Sequence, residues 1–248
     1  MSAPAIETKN LGKSFGGLRA VVDVSLSIPA GERRILIGPN GAGKTTLFNC
    51  IAGTHRPSAG RVLLFGVDIS TLPEDRRTAL GMGRTFQISN VCTDLTVREN
   101  LLLAALGNDR RKWALHRSVG GFRDLQDRVG QSLENIGLAA RADEEVKFLS
   151  YGERRQLELA LALNSDPRVL LLDEPCAGLS PSERQSVARL IAALSRDITL
   201  IMIEHDIDIA LALADRVTVL HRGEVILDGT PHEVQANEQV RDVYFGRV

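Results

Sequence analysis

Gly38-Pro39-Asn40-Gly41-Ala42-Gly43-Lys44-Thr45 stands between the apolar run Ile35 to Ile37 and a helix-like stretch that starts near Lys44. The spacing is GxxxxGK[ST], and strand, loop and helix follow in the order that gives this pattern a physical meaning. Its glycines let successive backbone N–H groups turn inward around phosphate oxygens, and the start of the following helix adds positive potential. Lys44 is placed to reach β- and γ-phosphate oxygens and the Thr45 hydroxyl to ligate Mg²⁺, with Thr46 in the same helix start. The bland alternative is a glycine turn between strand and helix. Strand, spacing, Lys and Thr together favour a P-loop.

Outward from the loop, a second stretch completes the pattern. Val169-Leu170-Leu171-Leu172-Asp173-Glu174-Pro175 ends a buried-looking run on two carboxylates, and ligands of open α/β sheets collect at the carboxyl ends of strands. Asp173 suits the shell of a Mg²⁺ ion, and Glu174 suits orienting and deprotonating a water. Apolar runs without alternation at Ile35–Ile37, Val169–Leu172 and Thr199–Ile203 predict strands buried on both faces of a parallel sheet. Alternation over Val22, Val24, Leu26 and Ile28 predicts a half-buried strand. Arg61–Phe65, Val217–Leu220 and Val225–Leu227 predict antiparallel strands at the periphery. Between about Ile88 and Ser165 the period turns helical: Leu125, Val129, Leu133 and Ile136 share one face, with Gly137 as C-cap. The fold class is α/β: a P-loop NTPase core with an antiparallel β subdomain and an inserted helical subdomain. The core and β subdomain take 1–87 and 166–248, the helical subdomain 88–165.

Composition narrows the function. The chain has 248 residues, 30 Lys+Arg against 31 Asp+Glu, and 44% hydrophobic residues, enough for a packed core. A formal charge of -1 argues against a general nucleic-acid binder, which needs clustered cations. Cys50, Cys92 and Cys176 lack metal-ligand spacing and read as reduced thiols. Neither a secretory leader nor an apolar stretch of membrane-spanning length is visible, so any service to a membrane runs through a partner.

Leu149-Ser150-Tyr151-Gly152-Glu153 gives the chain its class, because it resembles the LSGGQ signature of ATP-binding cassette (ABC) proteins. Gln87 in Arg84-Thr85-Phe86-Gln87 resembles the Q-loop, His205 in Ile203-Glu204-His205-Asp206 the switch histidine, and Phe15 before Gly16-Gly17 the aromatic that stacks on adenine. The resemblance implies ATP as substrate, Mg²⁺ held by Thr45, Asp173 and Gln87, and catalysis by Glu174, His205 and Gln87. It also implies a second ATPase subunit, identical or not, whose ATP would lie against Ser150 and Gly152, and two transmembrane permease subunits. A periplasmic solute-binding protein follows indirectly, as does a place at the cytoplasmic face of the inner membrane. Phe15-Gly16-Gly17-Leu18, Leu95-Thr96-Val97-Arg98-Glu99-Asn100-Leu101 and Val243-Tyr244-Phe245-Gly246 bring it closer to importer ATPases for branched-chain amino acids, and next to those for urea.

Other readings stand beside these. Ser150 and Glu153 also make S-x-x-E, a capping box, and Glu153 where many cassettes have Gln is expected to turn back into that box. Ser180 stands where the family's D-loop usually has Asp, and Ser180-Pro181-Ser182-Glu183 is a good helix start. The basic stretch Asp109–Asp124 reads as a solvated face or as a contact with anionic lipid. A soluble assembly ATPase, of the iron-sulfur type, is the competing function. A DNA-repair or ribosome-acting cassette would call for a long coiled-coil insertion or two cassettes in one chain.

Overall fold

Arg33–Ile37, Val169–Asp173 and Thr199–Ile203 are buried at every residue, as non-alternating strands covered on both faces must be. They are seen in a computed structural model that describes residues 3–85, 91–107 and 123–245. In chain order the elements are β1 (Ile6–Phe15), β2 (Leu18–Ile28), β3 (Arg33–Ile37), α1 (Lys44–Ala52), β4 (Ala59–Leu64), β5 (Val67–Asp68), α2 (Glu74–Ala79), β6 (Met82–Arg84), α3 (Val97–Gly107), α4 (Arg123–Asn135) and α5 (Tyr151–Leu163). Then come β7 (Val169–Asp173), α6 (Pro181–Ala192), β8 (Thr199–Ile203), α7 (Ile207–Leu213), β9 (Arg216–His221), β10 (Glu224–Gly229), α8 (Pro231–Ala236) and α9 (Glu238–Phe245). They fall into two units: Met1–Arg84 with Arg168–Glu174 and Ser195–Val248, and Thr85–Pro167 with Pro175–Leu194.

The first unit carries both sheets found among the described residues. One has the order β2-β1-β4-β5 and is antiparallel; the other runs β10-β9-β3-β8-β7-β6. In the second, β3, β6, β7, β8 and β9 are parallel and β10 turns back against β9. This corrects the expected periphery. Val217–Leu220 lies in β9, which pairs antiparallel with β10 as expected but also parallel to β3 from Arg34↔Arg216 to Ile37↔Val219, so of the two only β10 lies at an edge, with β6 at the other. Thr218 disguised it, because this polar residue is fully buried with its hydroxyl held by Arg34 and Asp228. Sequence reasoning missed β1, where register shifts between Thr8 and Ser14 break the alternation. It also missed β6, which is three residues long.

α1 packs Leu47, Phe48 and Ile51 into the core of this unit. Its C-terminal carbonyls meet a buried cation: the Arg77 guanidinium donates to the carbonyls of Cys50 (2.8 Å) and Ile51 (2.5 Å), and outside the helix to that of Leu72 (2.9 Å). Gly53 ends the helix at φ 99, and a Cβ there would lie 2.6 Å from Arg77 Nε.

In the second unit α3 packs on α4 and α5, and α5 on α6, around Leu101, Val129, Leu133, Val146 and Leu157. Leu125, Val129 and Leu133 are the buried face of α4. Gly137 (φ 72) ends it as expected: its N–H bonds Glu134 O and the Leu138 N–H bonds Leu133 O, a Schellman pair.

Candidate functional site

Gly43 precedes α1 in the left-handed region (φ 99), with no side-chain cap and no acidic residue in the first turn. By contrast, Ser150, Ser180 and Thr230 each close α5, α6 and α8 with a capping box. The leading N–H groups of α1 are thus left to an anion. Side chains are excluded by contact as well as by torsion. A Cβ on Gly43 would lie 2.4 Å from Ala20 O, and one on Gly38 2.2 Å from Leu220 O.

Lys44 folds back over this loop, with its side chain 5% exposed. The ammonium donates to Gly38 O (2.6 Å) and Pro39 O (3.1 Å). Burial lowers its pKa, and the charge of Glu174 pushes the other way. A cation held by two carbonyls is poised to exchange them for phosphate oxygens.

Across the loop, Glu174 follows β7 at φ 50, a left-handed torsion that costs a non-glycine residue about 1–2 kcal/mol. Its N–H is tied to Ile203 O at the end of β8 (3.0 Å). Its Oε1 meets His205 Nε2 at 2.7 Å, with His205 donating if the carboxylate is ionised. The strained turn therefore aims the carboxylate out of the sheet toward the cleft. Asp173, one residue earlier, is 1% exposed, with Arg84 Nη2 3.6 Å from its Oδ2.

A cleft of about 640 Å³ joins Phe15, Asn40 to Thr46, Glu174 and His205. Gly38 and Pro39 are outside its lining and reach it through Lys44. Phe15 is 46% exposed, edge-on to His55 at 5.4 Å, with Lys13 Nζ 4.9 Å from its ring centre. The sequence places a turn at His221-Arg222-Gly223-Glu224 between two strands but does not show that Arg222 and Gly223 line the cleft. The Gly223 N–H bonds Ala42 O (2.9 Å), and its carbonyl accepts from Val22 N–H, so the turn buttresses the loop. The only sequence signal there was the turn itself. Arg84 was also missed as a neighbour of Asp173: it bonds Asn49, Thr54 and Glu74 too. Gln87 and residues 109–122 of the basic stretch lie outside the described residues.

Ser150 and Gly152 belong to the helical unit. Ser150 Oγ accepts from the Glu153 N–H, and Glu153 Oε2 accepts from the Ser150 N–H at 2.7 Å. Glu153 therefore does turn back, with Arg141 Nη1 2.5 Å from the same oxygen. Ser180 likewise caps α6 together with Glu183.

The oxygen donors fit Mg²⁺, which favours one or two carboxylates together with substrate phosphates. Thr45 lines the cleft and Asp173 ends β7, while among the described residues no cluster of three or more His, Cys, Asp or Glu could hold a metal ion by itself.

The ABC transporter family model matches residues 21–177, and the model for the branched-chain amino acid ATP-binding cassette transporter matches 224–248. The chain is 38% identical over 255 residues to the high-affinity branched-chain amino acid transport ATP-binding protein LivG of Escherichia coli K12, covering 99% of each. Among solved structures, the ADP conformation of MJ1267, an ATP-binding cassette of an ABC transporter, superposes with a TM-score of 0.87 at 29% identity, covering 100% of both chains. A dimeric post-hydrolysis structure of the cassette MJ0796 with ADP and Pi gives 0.77 at 26%, covering 91% of this chain and 98% of that one.

Proposed function

The chain belongs to the ABC transporter family as an ATP-hydrolysing cassette, and from that premise we propose that it powers uptake of branched-chain amino acids, or a related small polar solute, through separate permease subunits. The observation that carries the catalytic part is the single cleft that gathers an uncapped helix start, a carbonyl-held lysine and a carboxylate–histidine pair. The match of residues 224–248 and the likeness to LivG support the substrate class.

In this reading Phe15 offers its exposed ring to adenine, and the N–H groups from Gly41 to Thr46 wrap the phosphates. Lys44 trades Gly38 and Pro39 for β- and γ-oxygens, gaining charge-assisted bonds in a partly desolvated site. Thr45, Asp173 and Gln87 would hold Mg²⁺, which would supply positive charge to those oxygens when bound. Glu174 accepts the proton of an attacking water, and His205 releases the carboxylate to orient on the γ-phosphate. Ser150 and Gly152 of a second cassette, identical or a sister chain, complete the γ-phosphate site. In this reading 1–87 and 166–248 would serve as the nucleotide core with its β subdomain and 88–165 as the helical subdomain, to which Pro175–Leu194 is joined by contact. Among the described residues no helix is long and apolar enough to cross a membrane; permease subunits would hold the cassette at the cytoplasmic face, with a periplasmic binding protein delivering solute.

Lys44→Ala tests the site. Losing a charged hydrogen-bond partner should weaken ATP binding by about tenfold to a hundredfold. Uptake of labelled leucine by proteoliposomes holding the cassette, its permease and its binding protein should stop. Normal ATP affinity in the variant refutes the role of Lys44; wild-type proteoliposomes that hydrolyse ATP but move no leucine, isoleucine or valine refute the substrate class.

A further inference from the structure

Glu183, in the first turn of α6, spends its carboxylate on two helix starts. Oε2 accepts from the Ser180 N–H (3.0 Å) and Oγ (2.6 Å), closing α6. Oε1 reaches instead to α5, where it accepts from the Gly152 N–H (3.0 Å) and the Ser150 hydroxyl (3.4 Å). The capping box of α5 does not need it, since Ser150 and Glu153 already satisfy each other there. Gly152 does not have a positive φ, so space rather than torsion calls for glycine. A Cβ would fall 2.5 Å from Glu183 Oε1 and 2.6 Å from its Cγ. The room left open over Gly152 is thus occupied by a carboxylate of the same chain.

We propose that Glu183 is a built-in competitor for the γ-phosphate: its carboxylate rests on the Ser150 hydroxyl and the Gly152 N–H until ATP-driven pairing of two cassettes displaces it. The proposal rests on the reading that Ser150 and Gly152 receive the γ-phosphate of a second copy. Two anions cannot share one N–H donor, and the positive pole of a helix start favours whichever is present. Glu183 is only partly buried, so rotation about its own side-chain bonds clears the position while Ser180 Oγ still caps α6. The Ser180 hydroxyl and N–H, and after them the Gly152 N–H, hold the Glu183 pKa low, so the competitor is charged at neutral pH. The resting cassette therefore keeps its signature groups satisfied, and closure must exchange one anion for another.

The test is the ATP-dependent dimerisation of the full chain, measured by analytical ultracentrifugation in a Glu174→Gln background that slows hydrolysis. Glu183→Gln keeps the length and an accepting oxygen but removes the charge. With two copies of the contact per dimer, the dimer Kd should fall about tenfold with little change in melting temperature. Glu183→Asp keeps the charge but is one methylene short of spanning both helix starts, and it should tighten the dimer as well, which serves if the Gln variant folds poorly. An unchanged or weaker dimer in the variants overturns the competitor and leaves Glu183 a structural tie between α5 and α6. If the Glu174→Gln parent stays monomeric with ATP, pairing of two identical cassettes falls, and a competitor between identical copies falls with it.

Discussion

Replacing Glu174 by Gln separates binding from chemistry at this site. The amide matches the carboxylate in size, so the φ 50 turn and the Glu174 N–H bond to Ile203 O persist. The P-loop contacts of Lys44, which use Gly38 and Pro39, are untouched. Two things change. The proton acceptor is gone, which for a general base costs about 10²- to 10⁴-fold in rate, or about 2.7–5.4 kcal/mol in the barrier. The negative charge facing Lys44 is also gone, so a highly charged nucleotide should bind at least as well as before. The expected result is ATP affinity equal to or above wild type, turnover down by at least about a hundredfold, and an ATP-bound dimer that accumulates. Phosphate release and nucleotide titration on the same preparation read both halves. Turnover within threefold of wild type would refute Glu174 as the base, whereas a parallel loss of ATP affinity would show that the turn had collapsed.

Gly152→Asp and Ser150→Asp distinguish a phosphate site from a helix cap. Asp at 150 remains a good N-cap, so a cap alone would tolerate it; both variants should instead lose hydrolysis while retaining ATP affinity as isolated monomers, and full activity in both would leave Ser150–Glu153 a helix start and nothing more. Acid stability follows from the caps. The Thr230 N–H and hydroxyl hold the Glu233 pKa below its ordinary 4.5, so its contribution is present above that pH and is lost as pH falls through the lower folded value. Glu233→Gln should accordingly flatten the fall of melting temperature with acidification below about pH 4.5; an unchanged curve would count against it.

The parts of the fold that the sequence exposed are those in which one physical demand dominates. Ile35–Ile37, Val169–Leu172 and Leu200–Ile203 are apolar throughout because they are covered on both faces. In Gly38 to Thr45, Gly38 and Gly43 are held to glycine by contact, since a Cβ at either would fall within 2.5 Å of a backbone oxygen, as well as by the chemistry of the loop. Where demands mix, the signal fades. β1 alternates badly because its bulges shift the register, and Thr218 looks like a surface residue because its partners Arg34 and Asp228 are 184 and 10 residues away. Glu183 carried a local capping signal that was read correctly. Its second bond, to Gly152 31 residues upstream, could not be inferred from either segment alone.

α1 can also be regarded as an electrical element. A helix of nine residues carries roughly half a charge of each sign at its ends. Here the two ends are treated oppositely, since Arg77 stays protonated even in the interior and sits directly on the terminal carbonyls. The negative pole is grounded, and the field that remains points at the phosphate loop uncancelled. Part of the attraction for a polyanion is therefore set at the far end of the rod, by a residue that never meets it. Sequence drift at Arg77 or Gly53 should accordingly register as altered nucleotide affinity long before it registers as a change in the loop.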